Sequence, residues 1–301
     1  MSKYILIILF ITYLSKQTFT NKVYSDPIKL DAKIENSPEK FENDVKKKSG
    51  ENVRVFVITP TYKRLTRYPD LIRFANSLKL LPFIHWIVIE DGDKKSLGVS
   101  RILKRSGIKC TYFAAKTPKF VFPKRGWWQR DMAIERLIVN KSKFISKHQR
   151  GIVYFGDDDN SYDPKLFTDY VVNVQKIGVW AVGLSSSSVE APIVKNKKVV
   201  GFDTWYAPER EHPFDFSAFA LSLKYFEDNP KARLTNDPTL YPYSPEGILL
   251  QKLNINLSDL EPFESQLTNP KEIYVWHTKT QIPNYFKTVN RKEVYGYDVE
   301  L

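Results

Sequence analysis

Gly151-Ile-Val-Tyr-Phe-Gly-Asp-Asp-Asp159 decides how this chain is read. The apolar run Gly151–Phe155 has the length of a short buried strand, and three carboxylates follow it after a single glycine. Such a segment puts several negative charges where strand meets loop. Unpaired charges there repel one another and resist desolvation. A hard divalent cation relieves both, because carboxylate oxygens suit magnesium, manganese or calcium. Taken alone, an acidic triplet reads first as a solvated loop, so its neighbours must decide.

Upstream, Val53–Thr59 is β-rich and is expected to end at Pro60. Apolar residues at Leu71, Ile72, Ala75 and Leu78 give Pro69–Leu80 a helical period. A strand over His85–Glu90 closes at Asp91-Gly92, a weaker helix spans Ser96–Lys104, and Cys110–Phe113 is a third strand. Trp127–Val139 is helical, with Met132, Ala133, Leu137 and Ile138 as its inner face, and Ile152–Phe155 is the strand before the aspartates. Strands alternating with helices predict a parallel α/β sheet. Ligands of such sheets bind outside the carboxyl ends of the strands, where an Asp-any-Asp motif commonly holds a metal on the diphosphate of a nucleotide-sugar.

Beyond the triplet the pattern changes. A helix starting at Pro164 and continuing over Leu166–Ile177, and a strand over Gly178–Leu184, are expected. Ile193–Lys195 and Val199–Phe202 flank Asn196-Lys197-Lys198 as a hairpin. Phe216–Leu223 and Ile273–His277 read as strands and Glu246–Leu253 as a short helix. This second half is mixed α/β, and both halves are expected to share one continuous sheet.

The chain has 301 residues, 42% apolar and 14% aromatic, enough for a substantial core. Twelve glycines and no repeat exclude solenoid and fibrous classes. A net charge of +12 favours anionic partners, but no recognition-helix, zinc-finger or RNA-binding signature is present, so nucleic acid is not expected. The single cysteine, Cys110, excludes an intramolecular disulfide and is expected to be buried in its strand.

Residues 1–20 read as a signal or signal-anchor segment: Lys3 precedes the apolar run Tyr4–Leu14, and Lys16 ends it. Residues 21–52 are polar and proline-punctuated, a disordered stem. Cleaved or retained, the leader sends the rest into the secretory lumen. The sequons at Asn140 and Asn256 are compatible with that.

Candidate chemistry lies at the strand ends. Asp91 can bond a uracil or ribose hydroxyl, and Tyr62 can stack on a base. Arg125 and Arg130, flanking Gly126-Trp-Trp-Gln129, can clamp phosphates with forked donors. A general base is sought among carboxylates near an apolar pocket, and Glu190 and Glu246 both qualify. Each of these also has an ordinary structural reading: a turn, a helix-surface charge, or an acid answering a helix dipole.

Seven motifs, in order, resemble those of the β-1,3-glucuronyltransferases over about Val53 to Thr280. They are Thr59-Pro-Thr-Tyr-Lys-Arg64, His85-Trp-Ile-Val-Ile-Glu-Asp91, Arg125-Gly-Trp-Trp-Gln-Arg130, Tyr154-Phe-Gly-Asp-Asp-Asp-Asn160, Val189-Glu-Ala-Pro192, Phe219-Ala220 and Val275-Trp-His-Thr278. The resemblance implies a GT-A-like nucleotide-sugar transferase fold, with a mostly parallel UDP-sugar-binding half over 53–160 and a mixed acceptor-binding half over 161–301. It implies an inverting, manganese-dependent transfer of glucuronic acid from UDP-glucuronate to a terminal galactose. It also implies a homodimeric type II Golgi membrane protein. Tyr62, Asp91, Arg125, Arg130 and Asp157 would then contact UDP, with Asp158, His277 and Lys279 on the donor side. Asp159 would be the metal ligand and Glu246 the catalytic base. Glu190, Arg210 and Asp215 would face the acceptor.

The chain departs from the family pattern at four places. Lys279 replaces an arginine, keeping the charge but losing the fork. Asp131 replaces an asparagine, Lys124 interrupts a proline-arginine-glycine run, and Ser185–Ser188 replaces a more glycine-rich and aromatic stretch. Two other readings therefore stand: the same fold using another UDP-sugar such as UDP-galactose, and a non-catalytic lumenal sugar-binding protein.

Overall fold

The computed structural model describes residues 43, 52–121, 126–185, 188–234, 245–263, 271–282, 297 and 300. Tyr4–Leu14, most of the stem and Arg125 lie outside the described residues. No helix among the described residues is long and apolar enough to cross a membrane.

Strand β1 (Val53–Thr61) is an inner strand of the larger sheet. Val55, Phe56, Val57 and Ile58 are all fully buried, the near-continuous burial of a parallel strand covered on both faces. It pairs in parallel with β2 (Ile84–Glu90) on one side and β4 (Arg150–Phe155) on the other. Beyond β2 lies β3 (Cys110–Ala114). The crossovers carry α1 (Arg67–Leu78), α2 (Leu97–Ser106) and α3 (Trp127–Val139). Helix α2 is fixed at both ends by its sequence: Ser96 Oγ accepts from Val99 N, and Gly107 takes the left-handed cap conformation at φ 72°.

In the second half, β10 (Phe219–Ser222) runs antiparallel between β4 and β6 (Ile177–Val179), and β11 (Leu260–Pro262) pairs in parallel with β6. The order is β11-β6-β10-β4-β1-β2-β3, with β10 alone reversed. A second sheet, ordered β5-β12-β7-β8-β9, contains β5 (Ser161–Tyr162), β7 (Val182–Ser185), β8 (Ser188–Lys195), β9 (Lys198–Asp203) and β12 (Val275–Trp276). A mostly parallel central sheet with a mixed second half is the GT-A-like architecture expected. Helix α4 (Pro245–Lys252) lies between β10 and β11 in the chain.

Several boundaries differ from expectation, each for a physical reason. β1 continues through Pro60 to Thr61, because β4 has already left: the last bond on that side is Gly156 N to Ile58 O, at 3.0 Å, so the proline removes no ladder donor. The sheet expected to run through both halves does so as the seven-stranded one, and a second sheet, not expected, is added to it. Gly178–Leu184 splits between them at Trp180, which turns into the core and donates its Nε1 to Ser217 O at 2.8 Å. The helix expected over Leu166–Ile177 is a wide turn, Leu166–Tyr170, followed by a tight one, Val171–Asn173. Its apolar residues are buried on every side, so packing overrides the 3.6-residue period. Cys110 is exposed, not buried, because it opens β3, the sheet's outer strand. In α3 the inner face includes Ile134, and the first turn buries Gln129, Arg130 and Asp131. The hairpin is as expected: Asn196 and Lys197 take φ 51° and 61°, the two-residue turn that matches strand twist.

Gly156 joins β4 to the aspartates. A Cβ there would stand 2.7 Å from Phe74 Cζ and 3.2 Å from Val57 Cγ1. Gly156→Ala is expected to lower stability by about 1–3 kcal/mol through overpacking. Urea unfolding measures it; an unchanged midpoint would show that the Phe74 ring moves aside freely.

Candidate active site

The site begins as a consequence of register. Thr61 pairs with Glu90, and Asp91 N donates to Thr61 O at 2.8 Å. Three parallel strands therefore leave the sheet at one edge, carrying Tyr62, Asp91 and Asp157. A cleft of about 650 Å³ opens there, lined by Tyr62, Asp91, Arg130, Lys279 and the aspartate triplet. Such a cleft at the carboxyl ends of parallel strands is a ligand site by topology.

The three aspartates have three different surroundings. Asp157 pairs with Arg130, which is almost fully buried and lies 4.4 Å from the Phe216 ring centroid. Burial pushes Asp157 above the usual carboxylate range, while Arg130 pulls it back. Asp158 accepts from Thr61 Oγ1 at 2.7 Å and from two Arg64 nitrogens at 3.0 and 2.8 Å. Asp159 is held by its backbone: its carbonyl accepts from Arg73 Nη2 and Thr278 Oγ1, both at 2.8 Å. Its carboxylate makes no hydrogen bond among the described residues. Burial, then the charges of Asp158 and Asp157, raise it to about 6.

That carboxylate is the one group in the triplet with unmet demand, and a hard cation would meet it. No three His, Cys, Asp or Glu side chains among the described residues converge to cage an ion. A cation here would take one protein carboxylate and fill its shell with diphosphate oxygens and water, as magnesium-like ions usually do. The residues fit such a group.

At the end of β2, Asp91 accepts from Thr117 N and Thr117 Oγ1, both at 2.8 Å, and Gln129 Nε2 braces the same hydroxyl at 3.0 Å. A carboxylate has about four acceptor positions, so Asp91 is fixed with capacity to spare. Tyr62 is 56% exposed, with Arg64 4.9 Å from its ring centroid, and offers a face for stacking. Gly126 opens α3 at φ 75°; a Cβ there would stand 2.8 Å from the Pro60 ring. Glycine thus lets α3 bring Arg130 against the end of β1.

On the other side, Asp215 Oδ1 accepts from Ser217 N at 2.9 Å and Ser217 Oγ at 2.6 Å, and its Oδ2 lies 3.6 Å from His277 Nδ1. Asp215 raises His277 to about 9. Glu246, in the first turn of α4, is buried; burial and then the charge of Asp215 raise it to about 8. A carboxyl so poised can take a proton near neutral pH. Arg210 curls onto its own loop, donating to Ala207 O at 3.1 Å and Tyr206 O at 2.9 Å. Glu190 is buried on β8, accepting from Thr204 Oγ1 at 2.9 Å. Neither Arg210 nor Glu190 lines the cleft. Sequence reasoning gave no role to Thr61, Arg64, Thr117 or Phe216. Arg64 alone carried a signal, a cation just past a strand that ends at an anionic site.

The chain matches glycosyltransferase family 43 over residues 74–281. It is 37% identical over 246 residues to the galactosylgalactosylxylosylprotein 3-beta-glucuronosyltransferase sqv-8 of Caenorhabditis elegans, covering 77% of this chain and 66% of that one. It is 34% identical to galactosylgalactosylxylosylprotein 3-beta-glucuronosyltransferase 3 of Homo sapiens, covering 76% and 71%. It therefore spans about two thirds of the length of these relatives. Likeness to solved structures is weaker: against S. aureus TarS 1-349 the TM-score is 0.49 at 14% identity, covering 75% of this chain and 60% of that one.

The pairing of His277 with Asp215 has a measurable consequence. The folded value of His277, about 9, lies above its ordinary 6.5. Its contribution to stability is thus complete below about pH 6.5 and lost as pH rises through about 9. Asp215→Asn is expected to return His277 toward its ordinary value in an NMR titration. A titration unmoved by the substitution would mean that another group sets the shift.

Proposed function

The chain belongs to glycosyltransferase family 43 and is an enzyme of the 3-beta-glucuronosyltransferase kind, and from that premise we propose that it transfers glucuronic acid from UDP-glucuronate to a terminal galactose, with inversion. The observation that carries the reading is the strand-end cleft, where the Asp159 carboxylate, without a hydrogen bond among the described residues, shares the lining with Arg130 and Asp91. Tyr62 would stack on the uracil and Asp91 would bond the base or ribose. Arg130, with Arg125, which lies outside the described residues, would hold the diphosphate. Manganese on Asp159 would supply positive charge to the departing diphosphate. Lys279 and the protonated His277 would receive the glucuronate carboxylate.

Glu246 is the proposed base. The acceptor hydroxyl oxygen bonds to the anomeric carbon, its proton passes to the Glu246 carboxylate, and the bond to UDP breaks with its electron pair on UDP. Asp215, Arg210 and Glu190 would place the acceptor sugar. The relatives' names describe a galactosylgalactosylxylosylprotein substrate, which supports a galactose end as acceptor here. One observation keeps a second donor in view: Lys279 lines the cleft as a point charge where the family resemblance expects a forked arginine, so UDP-galactose is the competitor to test. The leader and stem support a lumenal, type II Golgi placement, and the resemblance supports a homodimer.

A donor screen on purified protein tests the reading: UDP-glucuronate is expected to turn over fastest, and faster transfer from UDP-galactose would overturn the sugar assignment. Glu246→Gln is expected to cut kcat at least about 100-fold while leaving UDP affinity unchanged. Near-normal kcat would reduce Glu246 to a helix-end charge. kcat/KM is expected to rise with pH to about 8, as Glu246 loses its proton, and to fall above about 9, as His277 loses its own. Asp159→Ala is expected to abolish turnover with little loss of stability. Asp158→Ala leaves half-buried Arg64 with Asp70 as its remaining acid and removes the acceptor of Thr61 Oγ1, and it is expected to cost about 1–3 kcal/mol in chemical unfolding. Equal stability in both variants would contradict the division of roles within the triplet.

A further inference from the structure

Neighbouring carboxylates at 158 and 159 pose a question of choice. A hard cation gathers as many carboxylate oxygens as can reach it, yet only Asp159 is left available here. The reason lies in Arg64, just past the end of β1. Its guanidinium gives both terminal nitrogens to Asp158, at 3.0 and 2.8 Å, and one of them also reaches Asp70 Oδ2 at 2.9 Å. Thr61 Oγ1 adds a third donor to Asp158, at 2.7 Å. Asp70 is fully buried, and its other oxygen accepts from Arg73 at 3.2 Å. Arg73 in turn donates to the backbone carbonyl of Asp159.

The lattice thus contains two arginines and two aspartates and is neutral. Asp157 is balanced separately by Arg130. One charge is left over, on Asp159, in a cleft.

We infer that Arg64 is a positioning residue that reserves the cation site for Asp159, by occupying Asp158 so that the ion's remaining ligands come from the donor diphosphate. The consequence is coupling. With a single protein carboxylate the ion binds weakly alone and firmly once the nucleotide is present, so metal and donor arrive together. Were Asp158 free, two adjacent carboxylates would hold an ion without any nucleotide.

The inference rests on the donor-site reading above, but its test has an arm that does not. Free manganese is measured by electron paramagnetic resonance in titrations of the purified full chain, without nucleotide and with saturating UDP. In the wild type, UDP is expected to tighten manganese binding about tenfold or more. In Arg64→Met, binding without UDP is expected to tighten about tenfold, within the range that residues around a metal's ligands command, and the UDP effect to shrink accordingly. Adding Asp158→Asn to that variant removes the released carboxylate and is expected to reverse the gain, which a merely structural role for Arg64 would not produce. Arg64→Lys, which keeps the charge on a single donor nitrogen, is expected to stay near wild type, and Arg64→Gln takes the place of the methionine variant should that one not fold. Nucleotide-free binding that is unchanged in both the methionine and glutamine variants, or a gain that survives Asp158→Asn, would overturn the inference. A wild type that binds manganese but not UDP would instead count against the donor reading.

Discussion

Three adjacent carboxylates at the end of a fully buried strand are the constraint on which the rest depends. At an effective dielectric of about 20, two unit charges about 6 Å apart repel by about 3 kcal/mol. The chain cannot leave all three aspartates bare, nor disperse them into solvent, because β4 is flanked on both sides by β1 and β10. The fold answers by dividing the triplet. Arg130 from α3 neutralises Asp157, Arg64 and Thr61 fix Asp158, and Asp159 keeps its charge at the cleft. Gly156 is part of the same answer, since the Phe74 ring of α1 leaves no room for a side chain at the point where the strand delivers its charges.

Near the triplet one half-buried carboxylate, Asp215, does two things at once. Asp215 is the second cause, after burial, of the raised pKa of Glu246. It is also the partner that holds His277 protonated. A like charge and an opposite charge, placed around the same aspartate, are shifted in the same direction for opposite reasons. With Glu246 raised to about 8 and His277 to about 9, a deprotonated Glu246 and a protonated His277 coexist best at mildly alkaline pH. Asp215 thus shares in setting both values, first among the causes for His277 and after burial for Glu246.

Much of this was legible before the coordinates. Near-continuous apolar runs at 53–59, 85–90 and 152–155 identified parallel strands, and the charges after them identified the working edge. The Asn-Lys turn at 196–197 was readable from its neighbours, because few two-residue loops fit a hairpin. What escaped was set by tertiary packing. The segment after Pro164 has enough apolar residues for a helix, but they are buried on every side, and a periodic reading had no way to find two short irregular turns there. Trp180 breaks what reads as one strand because its ring belongs in the core and its indole N–H finds a carbonyl there. Cys110 is apolar enough to bury, yet it opens an outer strand.

The deepest miss concerns α1, and it explains why the site is rigid. Sequence reading starts that helix at Pro69 and takes its apolar stripe as the face that matters. The structure starts it at Arg67, and Ile72 of the stripe is 41% exposed. Arg64, Arg67, Asp70 and Arg73 recur every third residue, with Arg67, Asp70 and Arg73 on one helix face, and sequence reading gave them no role. Yet Arg67 and Asp70 are buried. Arg67 donates to Glu90 at 2.7 Å and to Glu300 at 2.6 Å, and Glu90 accepts from Ser96 N at 2.9 Å, so the residue before Asp91 is anchored from below. Asp70 anchors Arg64 and Arg73, and through them Asp158 and the backbone of Asp159. One helix face thus fixes the ends of two strands, β2 and β4, against each other. Buried charges of this kind are costly unless every partner is in place. The cost is the reason the arrangement is stiff: no member can move without stranding another, so the cleft presents its carboxylates at fixed positions before any ligand arrives.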